Sequence, residues 1–490
     1  MVFNSFSFLI FFPVVAIVYY LIPYRVRYIW LLAASWFFYM QWNAIYLLLL
    51  LYSTAVAYAG GRLLEKFRAS GKSRICFGVC LALSFIPLIY FKYTGFIISN
   101  INNVFIGAGS FAPLDVPDIL LPIGISFFTF QAAGYVIDVY RGDVEAERDP
   151  LRFALFVSFF PQLVAGPIER TKNLLPQLEC RVDFDHEKAR DGFWLMLWGY
   201  AMKVVIADRI AIFVDCVYDD CHEYGGVFLI IASALFALQI YCDFAGYSTI
   251  AIGAAQILGI RLMDNFDSPY LSGSVSEFWR RWHISLTTWF RDYLYIPLGG
   301  NRKGKIRKYI NKLVVFTVSG LWHGAEWSFA AWGGINGLFL VAEEICSPLS
   351  KRVSAKCGAL ISSLPVRILK VIATFILVDL TWIFFRAQTM EEALYIISNI
   401  FHTDNWNALT DGSIFECGLD NKNFILLFLM ILLLFFVDRC RKKGVQIRKK
   451  AAGLNLCLRA LYTATAVVFI LLFGIWGGTY NAEAFIYFRF

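Results

Sequence analysis

The chain has 490 residues, of which 59% are hydrophobic and 18% aromatic, and its mean hydropathy is +0.61. No water-soluble domain of this length has that composition, so the sequence predicts a polytopic helical membrane protein. The formal net charge of +8 comes from short basic loops between apolar runs, so it does not indicate nucleic-acid binding.

Apolar runs of about 15–25 residues recur along the chain, separated by polar or charged segments. They predict an all-α polytopic membrane protein with roughly 11–13 transmembrane or re-entrant helices. The apolar cores lie at residues 7–21, 29–39, 45–58, 77–89, 120–137, 151–165, 193–213, 227–241, 313–322, 368–385, 424–436 and 456–476. No internal repeat is visible, which disfavours an inverted-repeat transporter, and residues 1–490 are predicted to form a single membrane domain.

Three loops rich in Lys and Arg predict the orientation of the chain. Residues 61–74 carry five Lys/Arg and one Glu, residues 302–308 carry five Lys/Arg, and residues 439–450 carry seven. Cytoplasmic loops hold such an excess, so all three are predicted to face the cytoplasm. One apolar run follows the last basic loop, so the C-terminal tail, residues 479–490, is predicted to be extracytoplasmic.

The longest polar interruption, residues 261–311, is predicted to be a cytoplasmic-side interfacial or re-entrant segment. Ser274 and Glu277 have the spacing of a capping box, which marks the start of a helix. The helix predicted from there to residue 292 holds too many charges to span a membrane. Glu277 and Arg281 are one turn apart in it and are expected to pair.

His323 is the residue that points most directly to chemistry. It lies 11 residues after Lys312, and a helix of that length reaches about 17 Å, near the middle of a ~30 Å hydrocarbon core. An ionisable side chain there is costly and usually functional, and a neutral imidazole is a usable general base. Gly320 and Gly324 are expected to leave backbone-level space for a substrate beside the ring. The alternative is a packing histidine, with Ser319 one turn earlier as its partner.

A second histidine, His283, lies among tryptophans and arginines. The functional interpretation is a second catalytic or substrate-positioning group at the cytoplasmic mouth, with Arg280 and Arg281 binding an anionic donor. The alternative is an interfacial histidine beside two charges that set topology. Residues 302–308 have a similar pair of interpretations, a topology anchor or a patch that attracts the phosphates of a coenzyme or carrier protein.

Two further features lie outside this pair of histidines. Asp243 is an acid within an apolar stretch, expected to orient a histidine or to pair with an arginine. The tail ends in Phe485-Ile-Tyr-Phe-Arg-Phe490, which is too aromatic for a frayed terminus. It is either an aromatic-belt anchor or a segment that inserts into the membrane domain. The 11 cysteines are scattered, and no His/Cys cluster has metal-ligand spacing, so no metal site is predicted.

Several long stretches resemble the membrane-bound O-acyltransferase (MBOAT) superfamily, in particular its bacterial alginate O-acetyltransferase branch. The likeness covers essentially the whole chain, and one block of it reads Ser319-Gly-Leu-Trp-His-Gly-Ala-Glu-Trp327. The other matching stretches are residues 121–130, 135–142, 159–170, 277–286 and 289–301. The resemblance implies a horseshoe of tilted helices around a thin central partition.

The resemblance also implies a chemistry, which is transfer of an acyl group, usually acetyl, from a cytosolic thioester such as acetyl-CoA to a cell-surface polysaccharide. No bound cofactor is implied. His323 is the implied catalytic histidine and His283 the second signature histidine, and an extracytoplasmic SGNH-hydrolase-like protein is the implied partner. In related systems a tail tyrosine is proposed to carry the acyl group, which implies that role for Tyr487. Many relatives have histidine where this chain has Asn336, so no role for a third histidine carries over.

The donor is accordingly expected near Arg280 and Arg281, with Asp243, Ser319 and Asn336 as further donor-binding candidates. Two alternatives stay open. One is transfer of D-alanine from a carrier protein to teichoic acid, although a tail fused to the same chain favours the alginate-type branch. The other is a polysaccharide transporter or scaffold without enzymatic activity, for which paired buried histidines are unnecessary.

Overall fold

The computed structural model describes residues 1–107, 113–356, 363–402, 405–476 and 486. Within these ranges the chain forms helices and turns and no β-strand. The predicted all-α class is confirmed.

The helices cluster into two compact units. The first unit comprises Met1–Met196 and Ile250–Met263, and the second comprises Leu197–Thr249 and Asp264–Phe490. Two helices, α10 and α12, contribute residues to both units. Helices α1 to α10 are Phe6–Leu21, Arg27–Met40, Leu47–Lys66, Lys72–Leu88, Thr94–Gly107, Ile125–Arg141, Pro150–Ser158, Phe160–Leu163, Thr171–Gln177 and His186–Tyr200.

The second unit carries the remaining helices. A π-helical turn, Ala201–Ala207, follows α10, and a second one, Arg291–Tyr295, follows α14. Helices α11 to α21 are Asp208–Asp219, Gly226–Ile257, Val275–Arg281, Ile284–Phe290, Lys305–His323, Trp327–Lys356, Leu364–Arg386, Met390–Asn399, Asn421–Lys442, Ile447–Ala452 and Leu456–Phe473.

Helix α6 lies at the centre of the first unit. Gly124 and Gly142 bound it at φ values of 76° and 77°, where a side chain is disfavoured. Every residue from 125 to 139 is buried, so the helix packs on all of its faces. Two of the stretches that carry the family resemblance, 121–130 and 135–142, therefore build the core of this unit.

The pairing of α15 with α16 is the closest helix contact of the second unit. A Cβ atom at Gly320 would lie 2.1 Å from the Phe329 carbonyl oxygen, and one at Gly333 would lie 2.2 Å from that of Phe316. Backbones meet this closely only where side chains are absent, as in small-residue packing between membrane helices. The pairing fixes the end of α15, where His323 lies.

Seven helices of the described ranges are long and apolar enough to cross a membrane, by length and composition. The predicted range of 11–13 is larger because it counts shorter and re-entrant helices, such as Phe6–Leu21. The seven are Ala44–Lys66, Lys72–Phe105, Gly226–Ile257, Trp327–Pro348, Leu364–Arg386, Asn421–Lys442 and Leu456–Phe473.

Two apolar runs fold differently from the prediction. Residues 151–165 form two helices, of nine and four residues, because Pro161 has no N–H with which to continue α7. The N–H of Phe160 donates instead to the Ser35 hydroxyl, at 3.1 Å. The candidate span Trp327–Pro348 is absent from the predicted runs, because its glycines and acids weaken its hydropathy.

Candidate active site

The segment around His283 is a broken helix. Ser274 caps α13 as predicted, its hydroxyl accepting from the Glu277 N–H at 3.2 Å. The predicted continuous helix to residue 292 is wrong, since α13 ends at Arg281 and α14 begins at Ile284. His283 lies in the break with φ 42° and ψ 55°, in the left-handed region. That conformation costs a non-glycine residue about 1–3 kcal/mol, so other contacts must hold it.

Asn265 supplies those contacts. Its backbone carbonyl accepts from the Ile284 N–H at 2.9 Å, and its side-chain Oδ1 lies 3.1 Å from His283 Nδ1. The same Oδ1 accepts from the Ser285 hydroxyl at 2.9 Å, while Nδ2 donates to the Ser248 hydroxyl at 3.2 Å. This network assigns the proton of the neutral imidazole to Nδ1 and leaves the lone pair on Nε2.

His283 is buried within the protein. Its exposed fraction is 1%, and the ring packs edge-on against Phe244 with 4.7 Å between centroids. The residue lies outside the seven candidate spans, and burial lowers its pKa to about 3. The ring is therefore neutral at physiological pH, and Nε2 is the acceptor nitrogen of this tautomer.

His323 ends α15 and lies close to His283, although 40 residues separate them in the sequence. The two ring centroids are 6.3 Å apart, and His323 is also buried, at 5% exposure. Trp332 and Phe385 pack edge-on against the His323 ring, at 5.3 and 5.4 Å. The structure thus brings together the two histidines that the sequence singles out, within an aromatic enclosure.

Asn336 connects the helices of this aromatic enclosure by hydrogen bonds. Its Oδ1 accepts from the indole N–H of Trp279 at 3.2 Å. Its Nδ2 donates to the Trp332 carbonyl at 2.9 Å and to the Thr381 hydroxyl at 3.1 Å. Asn336 therefore joins helices α13, α16 and α17 around His323 and is fully buried.

The glycines beside His323 serve packing, and the expectation of open space there is wrong. A Cβ at Gly324 would lie 2.1 Å from the Phe329 ring, and Gly320 abuts the carbonyl of the same phenylalanine. Their missing side chains admit helix α16 instead of a substrate. Ser319, the predicted packing partner one turn before His323, is half-buried.

The two arginines next to His283 have different surroundings. Arg281 pairs with Glu277 at 3.1 Å, as predicted from their spacing, and with Asp267 at 3.2 Å. Arg280 is exposed. Of the two proposed donor-binding cations, Arg280 is the one on the surface, while the guanidinium of Arg281 is shared between two carboxylates.

Asp243 forms a buried ion pair with a lysine, where the sequence suggested a histidine or an arginine. Its Oδ1 lies 2.5 Å from Lys203 Nζ, which is also 2.8 Å from Asp208 Oδ1. Its Oδ2 accepts from the backbone N–H of Ile486 at 2.9 Å. The next residue, Tyr487, lies outside the described residues.

Sequence reasoning missed four residues of these networks, Lys203, Asp208, Ser248 and Asn265. A signal existed for Lys203 and Asp208, because both lie within or beside the apolar run 193–213, where a charge is costly. Asn265 and Ser248 carry no such signal. Among the described residues, no group of three or more His, Cys, Asp or Glu is placed to hold a metal ion.

Comparison with known proteins shows the family of this chain. The membrane-bound O-acyltransferase family profile matches residues 145–376. A probable alginate O-acetylase of Pseudomonas aeruginosa is 37% identical over 462 residues, which cover 93% of this chain and 85% of the relative. The chain belongs to the membrane-bound O-acyltransferase family. It is a multi-pass membrane O-acyltransferase of the alginate O-acetylase-like branch, as the sequence motifs indicate.

Two other family members mark the breadth of the likeness. A peptidoglycan O-acetyltransferase of Helicobacter pylori is 34% identical over 398 residues, covering 76% of this chain and 73% of the relative. A teichoic acid D-alanyltransferase of Streptococcus thermophilus is 30% identical over 235 residues, covering 45% of this chain and 56% of the relative.

We predict that Asn265→Ala and Asn265→Asp impair acyl transfer in different ways. Alanine removes the partner of His283 Nδ1, and the rate should fall about tenfold or more at every pH, since one such bond is worth about 1–3 kcal/mol. Aspartate keeps an acceptor but favours the protonated imidazole, which raises the pKa of His283. Its activity should therefore fall more steeply than wild type as pH decreases, because protonated Nε2 no longer accepts.

The measurement is the initial rate of transfer from acetyl-CoA by purified protein across the pH range, with monodisperse elution as the folding control. A purely structural role for Asn265 predicts a lowered rate with an unchanged pH profile in the aspartate variant, and that outcome would contradict the assignment.

Proposed function

We propose that this enzyme transfers an acetyl group from a cytosolic acyl thioester, acetyl-CoA, to hydroxyl groups of a cell-surface polysaccharide. The observation that carries the proposal is the pair of buried imidazoles with ring centroids 6.3 Å apart. Two relatives are named for activities on alginate and on peptidoglycan, which supports a polysaccharide acceptor. The identity of the polysaccharide would follow from which acceptor restores turnover in vitro.

His323 acts as the general base in this proposal. It takes the proton of the acceptor hydroxyl as that oxygen attacks the thioester carbonyl carbon. The tetrahedral intermediate collapses, the C–S bond breaks, and the imidazolium returns the proton to the leaving thiolate. A thioester is already activated, so one base and two oriented reactants suffice, with no metal.

His283 positions a substrate in this scheme. With its proton held on Nδ1 by Asn265, the ring offers Nε2 as an acceptor for a substrate O–H or N–H group. It is suited to orient the acceptor hydroxyl or the donor's amide arm toward His323. Arg280, Arg281, Ser319, Asn336 and Asp243 are the further residues proposed near the donor.

The donor enters from the cytoplasmic side. The basic run 439–450 and the segment 261–311 lie on one side of the second unit, because Arg441 is 3.4 Å from Asp267 and Lys442 is 3.6 Å from Glu277. Both segments are therefore expected to share the cytoplasmic face, in the bacterial inner membrane, with the C-terminus outside.

The tail is proposed to carry the acyl group across, with the Tyr487 phenol as the first acceptor hydroxyl. Its oxygen attacks the thioester carbonyl carbon, the C–S bond breaks, and the phenol proton passes through His323 to the leaving thiolate. Tyr487 follows Ile486, whose backbone is bonded to Asp243. A phenol with a pKa near 10 is a better leaving group than a sugar hydroxyl, so an acyl-tyrosine can pass its group onward. An extracytoplasmic SGNH-hydrolase-like partner would receive it for delivery to the polysaccharide.

Transfer of D-alanine to teichoic acid is the second candidate. The relative named for that activity matches 45% of this chain, whereas the probable alginate O-acetylase matches 93%, which favours acetyl transfer. Supplying purified enzyme with acetyl-CoA or with a D-alanyl carrier protein separates the two. Family membership disfavours the third possibility, a non-enzymatic scaffold or transporter.

We predict that His323→Ala reduces acetyl transfer by about 10²–10⁴-fold, the usual contribution of a general base. The variant should insert and elute as wild type does, since the aromatic side chains that enclose the ring stay in place. His283→Ala should also impair transfer, with a larger effect on the KM of the substrate that it orients. The exposed His186→Ala is the matched control and should retain full activity. Wild-type turnover in the His323 variant would contradict general-base catalysis by this residue.

We predict that cysteines placed at Lys305 and Lys443 resist an impermeant maleimide added to intact cells, because both exposed positions lie in cytoplasmic basic loops. A cysteine at Asp411 is the opposite-side control, since α19 separates it from residue 443. It should label readily. Efficient external labelling at either basic position would reverse the topology and the donor side with it.

We predict that Tyr487→Phe abolishes surface acetylation while expression stays unchanged, because phenylalanine keeps the ring and removes the nucleophilic oxygen. Mass spectrometry of the C-terminal peptide should find an acetyl group on the wild-type tyrosine during turnover. An aromatic-belt anchor requires only the ring. Full polysaccharide acetylation in the phenylalanine strain would decide for that anchor.

A further inference from the structure

A charged cluster lies buried in the second unit, apart from the two histidines. Lys203 Nζ lies between the carboxylates of Asp243 and Asp208, at 2.5 and 2.8 Å. All three side chains are at most 5% exposed. Burying an ion pair rarely stabilises a protein more than apolar packing of the same volume, so such pairs often serve a specific contact.

The second oxygen of Asp243 makes that contact. Its Oδ2 accepts the backbone N–H of Ile486 at 2.9 Å, and Ile486 itself is buried, at 5% exposure. The two residues are 243 positions apart in the sequence. A main-chain N–H bonded to a carboxylate is a charge-assisted bond, and it recognises the backbone of the tail whatever its side chains.

Two hydrogen bonds hold the chain that follows α21 close to the cluster of Lys203, Asp208 and Asp243. Arg209 Nη2 donates to the Phe473 carbonyl at 2.8 Å, which fixes the end of the helix. The Ile475 N–H then donates to the Val204 carbonyl at 2.9 Å. Val204 follows Lys203 in the π-helical turn Ala201–Ala207, so the segment that starts the tail runs along the turn that carries the lysine.

We propose that the Asp243–Lys203 pair is a docking site for the C-terminal tail of this chain, which it binds by the main chain at Ile486. Lys203 pairs with Oδ1 of Asp243 and so orients Oδ2 toward the backbone N–H of Ile486. The role of this docking site follows from the position of Asp243 next to the candidate active site. The next residue on α12, Phe244, packs on the His283 ring with 4.7 Å between centroids. This role rests on the proposed function, in which the residue after Ile486 in the sequence, Tyr487, carries the acyl group.

Close helix packing supports the geometry of the site. A Cβ atom at Gly246 would lie 2.9 Å from the Gly199 carbonyl oxygen and 3.1 Å from the backbone nitrogen of Lys203. Helix α12 therefore approaches the backbone beside Lys203 as closely as a glycine allows. This approach brings the ammonium group within reach of Asp243.

The test measures access to the tail. Ile486→Cys, in an otherwise cysteine-free chain, keeps the backbone N–H, and its alkylation rate by a small maleimide reports release of the tail from its site. With the docking pair intact the rate should be slow. In Asp243→Leu, which removes the acceptor of the tail while Lys203 keeps Asp208 as its partner at 2.8 Å, it should rise about tenfold or more, the factor for one hydrogen bond to a charged group.

Controls separate docking from a general loosening of the fold. Asp438→Asn changes another buried acid of this unit, which accepts from Tyr241, and should leave the alkylation rate unchanged. If Asp243→Leu elutes as aggregate, Asp243→Asn replaces it and should give an intermediate rate, because the amide oxygen still accepts. Equal rates in the parent and in the well-folded docking variant would overturn the proposal.

A last variant distinguishes docking from acyl carriage. Tyr487→Phe should leave the slow alkylation at position 486 unchanged while it stops acetylation. Slow alkylation with acetylation retained would reject the acyl-carrying tyrosine and leave the docking site standing. Fast alkylation in the Tyr487→Phe chain would reject docking through the main chain.

Discussion

The hydrogen bonds of Asn265 are the constraint on which the arrangement of the two histidines depends. A continuous helix through residues 275–292 would be the default for this sequence, since its capping box forms. Asn265 instead takes the Ile284 N–H, His283 Nδ1 and the Ser285 hydroxyl, at 2.9, 3.1 and 2.9 Å. These bonds offset the cost of a left-handed histidine, and they turn its ring toward α15.

Helix α12 is the support behind both networks. Asp243, Phe244 and Ser248 lie within two turns of it and contact the tail, the His283 ring and Asn265, respectively. A rigid helix holds such groups more accurately than a loop does. The close approach permitted at Gly246 fixes this stretch against the turn that carries Lys203. A displacement of α12 would therefore disturb the tail contact and the histidine together.

Apolar runs predicted most helices, because lipid forces every backbone polar group into local hydrogen bonds. His323 and His283 were identifiable for a related reason, because they are ionisable groups near apolar segments in a chain that has only five histidines. The break at His283 was not, since a carbonyl 19 residues earlier in the chain takes the Ile284 N–H and no local pattern records that bond. The prediction of open space at the glycines beside His323 was wrong, because the sequence shows that a side chain is missing but does not show which neighbouring residue fills the space.

The chemistry of the site also depends on where charge is kept. An imidazole acts as a base only while it is neutral, and aromatic surroundings favour the neutral form. A lone carboxylate near His283 would do the opposite, since a negative charge favours the imidazolium. Burial is the cause that lowers the pKa of His283, so the apolar side chains around the ring, such as Phe244, keep it neutral. Asp243 belongs to a separate cluster, in which Lys203 lies 2.5 and 2.8 Å from the carboxylates of Asp243 and Asp208. Lys203 therefore serves the tail contact, while burial serves the base.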